Sequence, residues 1–326
     1  MAMNIRPPVR HGQRGVHHLL KHLQLWKPKR RQQLYSAATF HCMELLHTAS
    51  RARGIDALLA DLPAVHGQWP EPIETGPVAR DSVCVLFAVC DPVFFHRNGI
   101  ALVASAGRLN HVQAIHLHVY DAGPAEFKAL RKLQQCFPHL QLTWTWETSM
   151  VRDSQHPRRI IYFQSMRFVR LFELVRRCRR PVLAVDVDSV VRRPLSEVDS
   201  PPEADVGMYL RLDSPYACNF VLASAIYIAA SDAGIDFAAR SAIRIAAHLR
   251  AGAAIEKLDQ RCLWTELRRA PNTLNLWTIP TSLTDWDFAE SSVIWHGKGG
   301  RKAIDIFRAA QRAVQPDFSD DEPVFP

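Results

Sequence analysis

Two carboxylates one residue apart, Asp186 and Asp188, interrupt the run Pro181-Val-Leu-Ala-Val-Asp-Val-Asp-Ser-Val-Val191. A short apolar run reads as a strand buried on both faces, here Val182 to Val187. Residues two apart on a strand point the same way, so both carboxylates are expected to reach one cation. Hard oxygen ligands suit Mg²⁺ or Mn²⁺, usually shared with a phosphate; a strand that ends in two solvated aspartates is the alternative. Near the other end of the chain, Val293-Ile-Trp295 runs into His296-Gly297-Lys298-Gly299-Gly300-Arg301-Lys302. This is a glycine-rich loop with an imidazole and three cations, placed before a helix expected from about Ala303. Backbone amides and helix N-termini bind phosphate, and Lys or Arg adds charge. Two carboxylates and an imidazole on one divalent ion, with a basic glycine loop against the phosphates, make a chemically complete diphosphate site.

The elements that must position these groups follow from periodicity. From about Val16 to Ala60 apolar residues recur at three- and four-residue spacings, which predicts two or three helices and then a short segment from Ile55 to Leu62. Prolines at 63, 70, 72 and 77 then mark a linker, and the domain boundary is placed there. Beyond it strands and helices alternate. Strands are expected at Val83–Val89, Val112–Tyr120, Leu140–Trp146 and Val182–Val187, and helices at Phe94–Ala106, Phe127–Cys136 and Ile160–Arg179. Such alternation implies an α/β fold with a mostly parallel sheet and helices on both faces, and ligands of such sheets bind at the carboxyl ends of the strands. Asp91, Asp121, Asp186 and Asp188 all fall at or just past strand ends. After Pro194, strands are expected at Val206–Leu210, Phe220–Ile228 and Val293–Trp295, with helices at Ile235–Arg250 and Leu258–Arg268. The division is therefore a helical extension with its linker at 1–80, one α/β domain at 81–315 and an acidic flexible tail at 316–326.

With these residues in place, the chain resembles the nucleotide-sugar glycosyltransferases of the GT-A fold, in particular the retaining transferases of glycosyltransferase family 8. Ala88-Val-Cys-Asp91-Pro-Val-Phe-Phe is similar to the family's opening strand, and Ser165-Met-Arg167-Phe to its Tyr-x-Arg-Leu segment. Asp186-Val-Asp188 matches the D-x-D motif, and His296 to Lys302 fits H-x-x-G-x-x-K. Asn219 and Asp259-Gln260, in a setting that ends at Trp264, are weaker matches. The resemblance spans about Val83 to Ala313. The Tyr before Arg167 is replaced, the Pro-Trp that often follows the final Lys is absent, and the chain before Val83 has no counterpart. The resemblance implies transfer of a hexose from a nucleotide-sugar donor, most simply a UDP-sugar, to an acceptor hydroxyl of a glycan, lipid or protein, with retention at the anomeric carbon. Asp186, Asp188 and His296 would hold Mn²⁺ or Mg²⁺. Lys302, Lys298 and Gly299 would contact the diphosphate, Ala88 and Asp91 the base, and Arg167 and Asn219 the donor. Asp259 and Gln260 would serve the sugar or the reacting centre.

Composition bounds the rest. The 326 residues are 48% hydrophobic and 22% charged, which is the globular range. The formal charge is +8, much of it from Arg6 to Arg53, where Glu44 is the sole acid. This reads as a solvated basic face, with peripheral membrane or protein contact through the N-terminal helices as the alternative and no nucleic acid expected. The seven cysteines form no C-x-x-C pair and read as reduced thiols. With no secretory signal and no run of bilayer length, a cytoplasmic protein is the expectation. His17, His18, His41, His111, His116 and His118 lack spaced acidic or thiol partners and read as surface or core residues. Two rivals remain. Asp186-x-Asp188-x-Val190 also resembles the first motif of haloacid-dehalogenase-like phosphatases, with Asp186 as nucleophile and Asp188 as general acid. Alternatively, the chain binds a nucleotide sugar as a scaffold without turnover.

Overall fold

The computed structural model describes residues 40, 54–72, 84–109, 114–151, 157–195 and 203–316. In chain order the elements are α1 (Gly54–Ala60), β1 (His66–Gly67), β2 (Val85–Cys90), α2 (Ile100–Arg108), β3 (Ala114–Tyr120), α3 (Pro124–Cys136), β4 (Gln141–Glu147), α4 (Pro157–Cys178), β5 (Val182–Val185), β6 (Ser189–Val191), β7 (Val206–Leu210), β8 (Val221–Ile228), α5 (Asp232–Arg250), α6 (Leu258–Arg269), β9 (Leu276–Thr278), β10 (Thr284–Asp285), β11 (Ile294–His296) and α7 (Asp305–Val314).

Strand alternation divides the interior. Along β2, Val85 and Phe87 join one apolar cluster with the buried faces of α4, α5 and α6. Leu86, Ala88 and Cys90 join the other, with α2 and α3. The sheet is therefore sandwiched between helical layers, which is why β2 and β5 read as unbroken apolar runs. Its order is β1-β4-β3-β2-β5-β8-β7-β9. Strands β4, β3, β2 and β5 run parallel, while β1 and β8 pair antiparallel to their neighbours. A second sheet, β10-β11-β6, sits beside it.

The chain moves outward from β2 to β3 and β4, then returns through α4 to place β5 on the other side of β2. That reversal opens a crevice between the carboxyl ends of β2 and β5, the place where such sheets bind ligands. Asp91 follows β2 and Asp186 follows β5, so both border the crevice.

Three details differ from the sequence reading. First, β5 stops at Val185, and Asp186-Val187-Asp188 forms a bend into β6. Second, the helix expected from Phe94 begins as a helical turn, Pro92–Phe94, capped by the Asp91 carboxylate, which accepts the Phe94 amide at 2.8 Å; a π-helical turn, Phe95–Gly99, then leads into α2. Third, part of the stretch read as a linker is built into the domain. His66–Gly67 pairs with β4 as an edge strand, the Trp69 ring stacks on His116 at 5.2 Å, and Arg170 donates to the Pro63 carbonyl at 3.3 Å. Gly67 has φ +113°, and a Cβ there would meet the Trp144 carbonyl at 2.4 Å, so glycine alone fits. Before it, Asp56 pairs with Arg176 at 2.6 Å, Asp61 pairs with Arg250, and Phe40 stacks on His248 at 4.8 Å. The remaining N-terminal helices and the tail from Asp317 lie outside the described residues. Among those that are described, no helix is long and apolar enough to cross a membrane.

Candidate active site

The crevice is a cleft with two unlike halves. Val89, Cys90, Phe94, Ile160 and Phe163 form an apolar wall, while Arg167, Asp186, Asp188 and Lys302 form an ionic one, with Asp91 and Gln164 also in the lining. Lys302 joins the halves: its Nζ lies 2.6 Å from Asp188 Oδ2 and 4.6 Å from the centre of the Phe94 ring. Five residues named from sequence therefore line one cleft: Asp91, Arg167, Asp186, Asp188 and Lys302. They come from four separated segments.

Arg167 is the hub of the ionic half. One terminal nitrogen donates to Asp186 Oδ1. The other donates to the Ala223 carbonyl at 2.6 Å and to Asp259 Oδ2 at 3.4 Å. The Arg167 side chain is 13% exposed, Asp259 7% and Asp186 28%. Burial would raise the Asp186 carboxyl, but Arg167, helped by His296 and Lys298, holds it below its ordinary range. Asp259 goes the other way, because burial lifts it above the usual carboxylate range and Arg167 offsets only part. Asp259 thus pairs with Arg167 and is not part of the cleft lining.

The Asp186–Asp188 bend is tied down on several sides. The Asp186 amide donates to Ser224 of β8 at 3.1 Å, and the Gly297 amide donates to the Asp188 carbonyl at 2.7 Å. Ser189 Oγ donates to the Asp186 carbonyl at 2.5 Å. Gly297 is required beneath the loop, since a Cβ there would meet the Phe307 ring at 2.6 Å.

His296 is fully buried at the end of β11 and is not part of the cleft lining. Its Nδ1 lies 2.6 Å from Ser189 Oγ and its Nε2 lies 2.5 Å from Thr284 Oγ1. Burial lowers its pKa against the pull of Asp186 and Asp188. The donor set can be tested against a divalent ion on these facts. Two carboxylates at the rim of a cleft suit a hard cation that shares a phosphate. The imidazole, with both nitrogens engaged by hydroxyls, does not fit as a third ligand where it is held. Among the described residues no group of three His, Cys, Asp or Glu side chains is arranged to hold a metal ion.

The other sequence candidates are not among the residues that line the cleft. Ala88 is buried in β2. Asn219 donates to Ser214 Oγ at 3.2 Å and accepts from Lys257 Nζ. The Gln260 amide, in the orientation that satisfies its surroundings, donates to the carbonyls of Cys218 at 2.6 Å and Val221 at 3.1 Å, so it fixes the chain entering β8. Lys298 Nζ sits 5.3 Å from the Trp286 ring centre; burial and the nearby cations Arg211, Lys257 and Arg167 lower its pKa despite Asp186. Gly299 has φ +61° with open space around it. Sequence reasoning missed Phe163 and Gln164, although the signal was present: they lie four and three residues before Arg167, on one helix face. It also missed Ser189 and Thr284, which no motif marks.

No protein-family model matches the chain, and no curated protein does. Solved structures do. The bifunctional glycosyltransferase WbbM in its apo form is 14% identical over 69% of this chain and 47% of its own, with a TM-score of 0.46. The glycosyltransferase GlyE of Streptococcus pneumoniae TIGR4 is 13% identical over 72% of this chain and 65% of its own, at 0.46. The galactosyltransferase LgtC, in complex with donor and acceptor sugar analogs, is 12% identical over 72% of this chain and 98% of its own, at 0.47. This chain thus spans about half of WbbM and just under two thirds of GlyE. All three similar structures are glycosyltransferases, at a level of likeness that leaves the site to be read on its own geometry.

Proposed function

We propose that this chain is a glycosyltransferase of the GT-A type, resembling family 8, that moves a hexose from a nucleoside diphosphate donor, UDP first among them, to an acceptor hydroxyl. The observation that supports this most is the two-sided cleft at the reversal point of the sheet. An apolar wall suits a base and ribose, and the adjoining ionic wall suits a diphosphate. In this reading the base lies toward Val89, Phe94 and Phe163 beside Asp91, and the diphosphate toward Lys302 and Arg167. Asp186 and Asp188 would hold a divalent cation, which when bound supplies electrostatic stabilisation of the leaving diphosphate. Arg167, clamped by Asp186, Asp259 and the Ala223 carbonyl, would meet the donor in one fixed pose, so orientation is set before binding. Lys302 would exchange Asp188 for a phosphate oxygen. Lys298, on the flank of Asp186, would add positive charge as the bond from the anomeric carbon to the diphosphate breaks. The new bond would form to the acceptor oxygen, whose proton would pass to an oxygen of the departing diphosphate.

The phosphatase alternative loses ground at two carboxylates. Asp186 is held by a buried guanidinium instead of standing free as a nucleophile. That reading also needs a second acidic pair, Asp285/Asp287 or Asp320/Asp321, and the Asp285 carboxylate accepts the amides of Asp287 and Ala289, both at 2.7 Å, and the Ser292 hydroxyl at 3.1 Å, so it is committed to a turn. A calorimetric panel of UDP, CDP, GDP and ADP, with and without Mn²⁺, tests the proposal, followed by release of nucleoside diphosphate from the matching sugar donors. Binding of UDP with donor turnover is expected. Absence of any nucleoside diphosphate binding, or hydrolysis of aryl phosphates at the same site, overturns it; tight binding without turnover leaves the scaffold reading.

A further inference from the structure

Where the basic loop meets the carboxylate bend, His296 turns its two ring nitrogens toward two hydroxyls. Ser189 has a single hydroxyl proton, and it is donated to the Asp186 carbonyl at 2.5 Å. Ser189 Oγ can therefore only accept from His296 Nδ1, 2.6 Å away, so Nδ1 carries the ring proton. In the neutral ring Nε2 is then a lone pair, and its partner at 2.5 Å is the Thr284 hydroxyl, which must donate. All three side chains are buried, Ser189 and His296 completely and Thr284 to 1% exposure. They sit on three strands of the small sheet: Ser189 on β6, His296 on β11 and Thr284 on β10, with His296 the register partner of Ser189. The lone pair that a cation would need is thus already used.

We infer that His296 is a positioning residue, a neutral latch that sets the Asp186–Asp188 bend through Ser189, and that it is not a ligand of the cation. The chain of contacts runs Thr284 hydroxyl to His296 to Ser189 to the Asp186 carbonyl. Beside it the Gly297 amide holds the Asp188 carbonyl at 2.7 Å. The two carboxylates are thereby aimed into the cleft from a backbone fixed on its far side. For a metal ion to take Nε2, Thr284 would have to release it and the ring would have to leave the small sheet, breaking the bond to Ser189 as well. The role of the bend in binding a cation and nucleotide rests on the transferase reading above, whereas the tautomer is a property of the fold alone.

Two measurements on the full chain decide the matter. In protein labelled with [¹⁵N]histidine, the ring-nitrogen spectrum of His296, assigned by its loss in His296→Gln, is expected to show the Nδ1–H form. The same form should persist after saturating Mg²⁺ and UDP are added. An Nε2–H form, or a shift of Nε2 to a coordinated position, overturns the inference. Calorimetry of UDP with Mn²⁺ then compares Thr284→Val, Ser189→Ala and Thr284→Ser. A latch predicts that the first two weaken Mn²⁺-dependent affinity about three- to tenfold, the size of one buried hydrogen bond, and that Thr284→Ser restores it. A metal ligand predicts the reverse for Thr284→Val, since the freed lone pair would bind as well or better. If the unaltered chain binds no nucleoside diphosphate of the panel, the transferase reading fails, and the nitrogen spectrum still decides the latch without any variant of Thr284.

Discussion

Arg167→Met removes the guanidinium while keeping most of the side chain's apolar stem. It leaves three groups without their cation: Asp186, the Ala223 carbonyl and Asp259. Removing one partner of a buried ion pair costs about 3–5 kcal/mol, a large part of the 5–15 kcal/mol that is typical of a whole domain. The loss should depend on pH in a stated direction. Asp259 already sits above the usual carboxylate range because of burial, with Arg167 as its main offset, so its folded pKa climbs further in the variant. A carboxyl whose folded pKa exceeds its unfolded value stabilises fully below the unfolded value, about 4. That contribution is lost as pH rises toward the folded value, at up to about 1.4 kcal/mol per pH unit. Asp186, which Arg167 now holds below its ordinary range, shifts in the same sense. Urea denaturation is therefore expected to show Arg167→Met less stable by about 3–5 kcal/mol at pH 8, with at least about 1–2 kcal/mol of that recovered at pH 5. Adding Asp259→Asn should restore part of the loss at pH 8. A penalty under about 1 kcal/mol, or one of the same size at both pH values, would show that Arg167 does not carry the buried charge of this site.

Asp188→Ala is expected to keep the fold, because the side chain lies on a bend at the cleft rim, and to lower Mn²⁺-dependent UDP affinity at least about tenfold; calorimetry that finds metal dependence unchanged counts against the two-carboxylate cation site. Trp69→Ala should cost about 2–3 kcal/mol in urea denaturation, somewhat below the value for a fully buried ring because Trp69 is half-buried, and a chain beginning at Ala79 should lose more, together with its soluble expression. If that shortened chain instead melts like the full one, the segment from Pro63 to Pro72 is dispensable after all. Burial holds Glu147 at about 7 despite its pairing with Arg170, so its contribution to stability is present below about 4.5 and lost as pH rises through 7. Glu147→Gln should flatten that part of the stability curve between pH 5 and 8, and an unaltered slope would refute the assignment.

The parts of the fold that were legible in the sequence are those decided locally. β7 runs over Val206–Leu210 as its apolar run indicates, and α6 ends within one residue of expectation. Strands β1, β6, β9 and β10 were not legible, because two or three residues carry no periodicity and exist only through pairing partners far along the chain. The site divides in the same way. Residue type and order picked out Asp91, Arg167, Asp186, Asp188 and Lys302, which do share one cleft. The sequence could not say that Asp259 and Gln260 are spent on Arg167 and on two carbonyls. His296 has the residue type of a ligand, but what it does is decided by hydroxyls at positions 189 and 284, each supplied by another strand.

The bend carrying Asp186 and Asp188 has its backbone fixed by Ser224, Ser189 and Gly297 and its side chains neutralised by Arg167 and Lys302. Those two cations differ in a way that orders events in the cleft. Arg167 is mostly buried and held by two carboxylates and a carbonyl, so it is less free to leave. Lys302 is one-third exposed and pairs with a single carboxylate. It sits on the short 3₁₀ turn Gly299–Ala303, which begins at a glycine with open space around it. This pair gives Lys302 one carboxylate contact from a partly exposed side chain, whereas a charge-assisted bond to a phosphate oxygen is among the strong ones. In the proposed reading an arriving diphosphate would draw Lys302 away, and Asp188 would then be free to help hold a cation. Arg167 and Asp186 keep their geometry throughout. If the transferase reading holds, the carboxylate pair would become a cation site only once nucleotide is bound, and cation affinity measured without nucleotide should be weak.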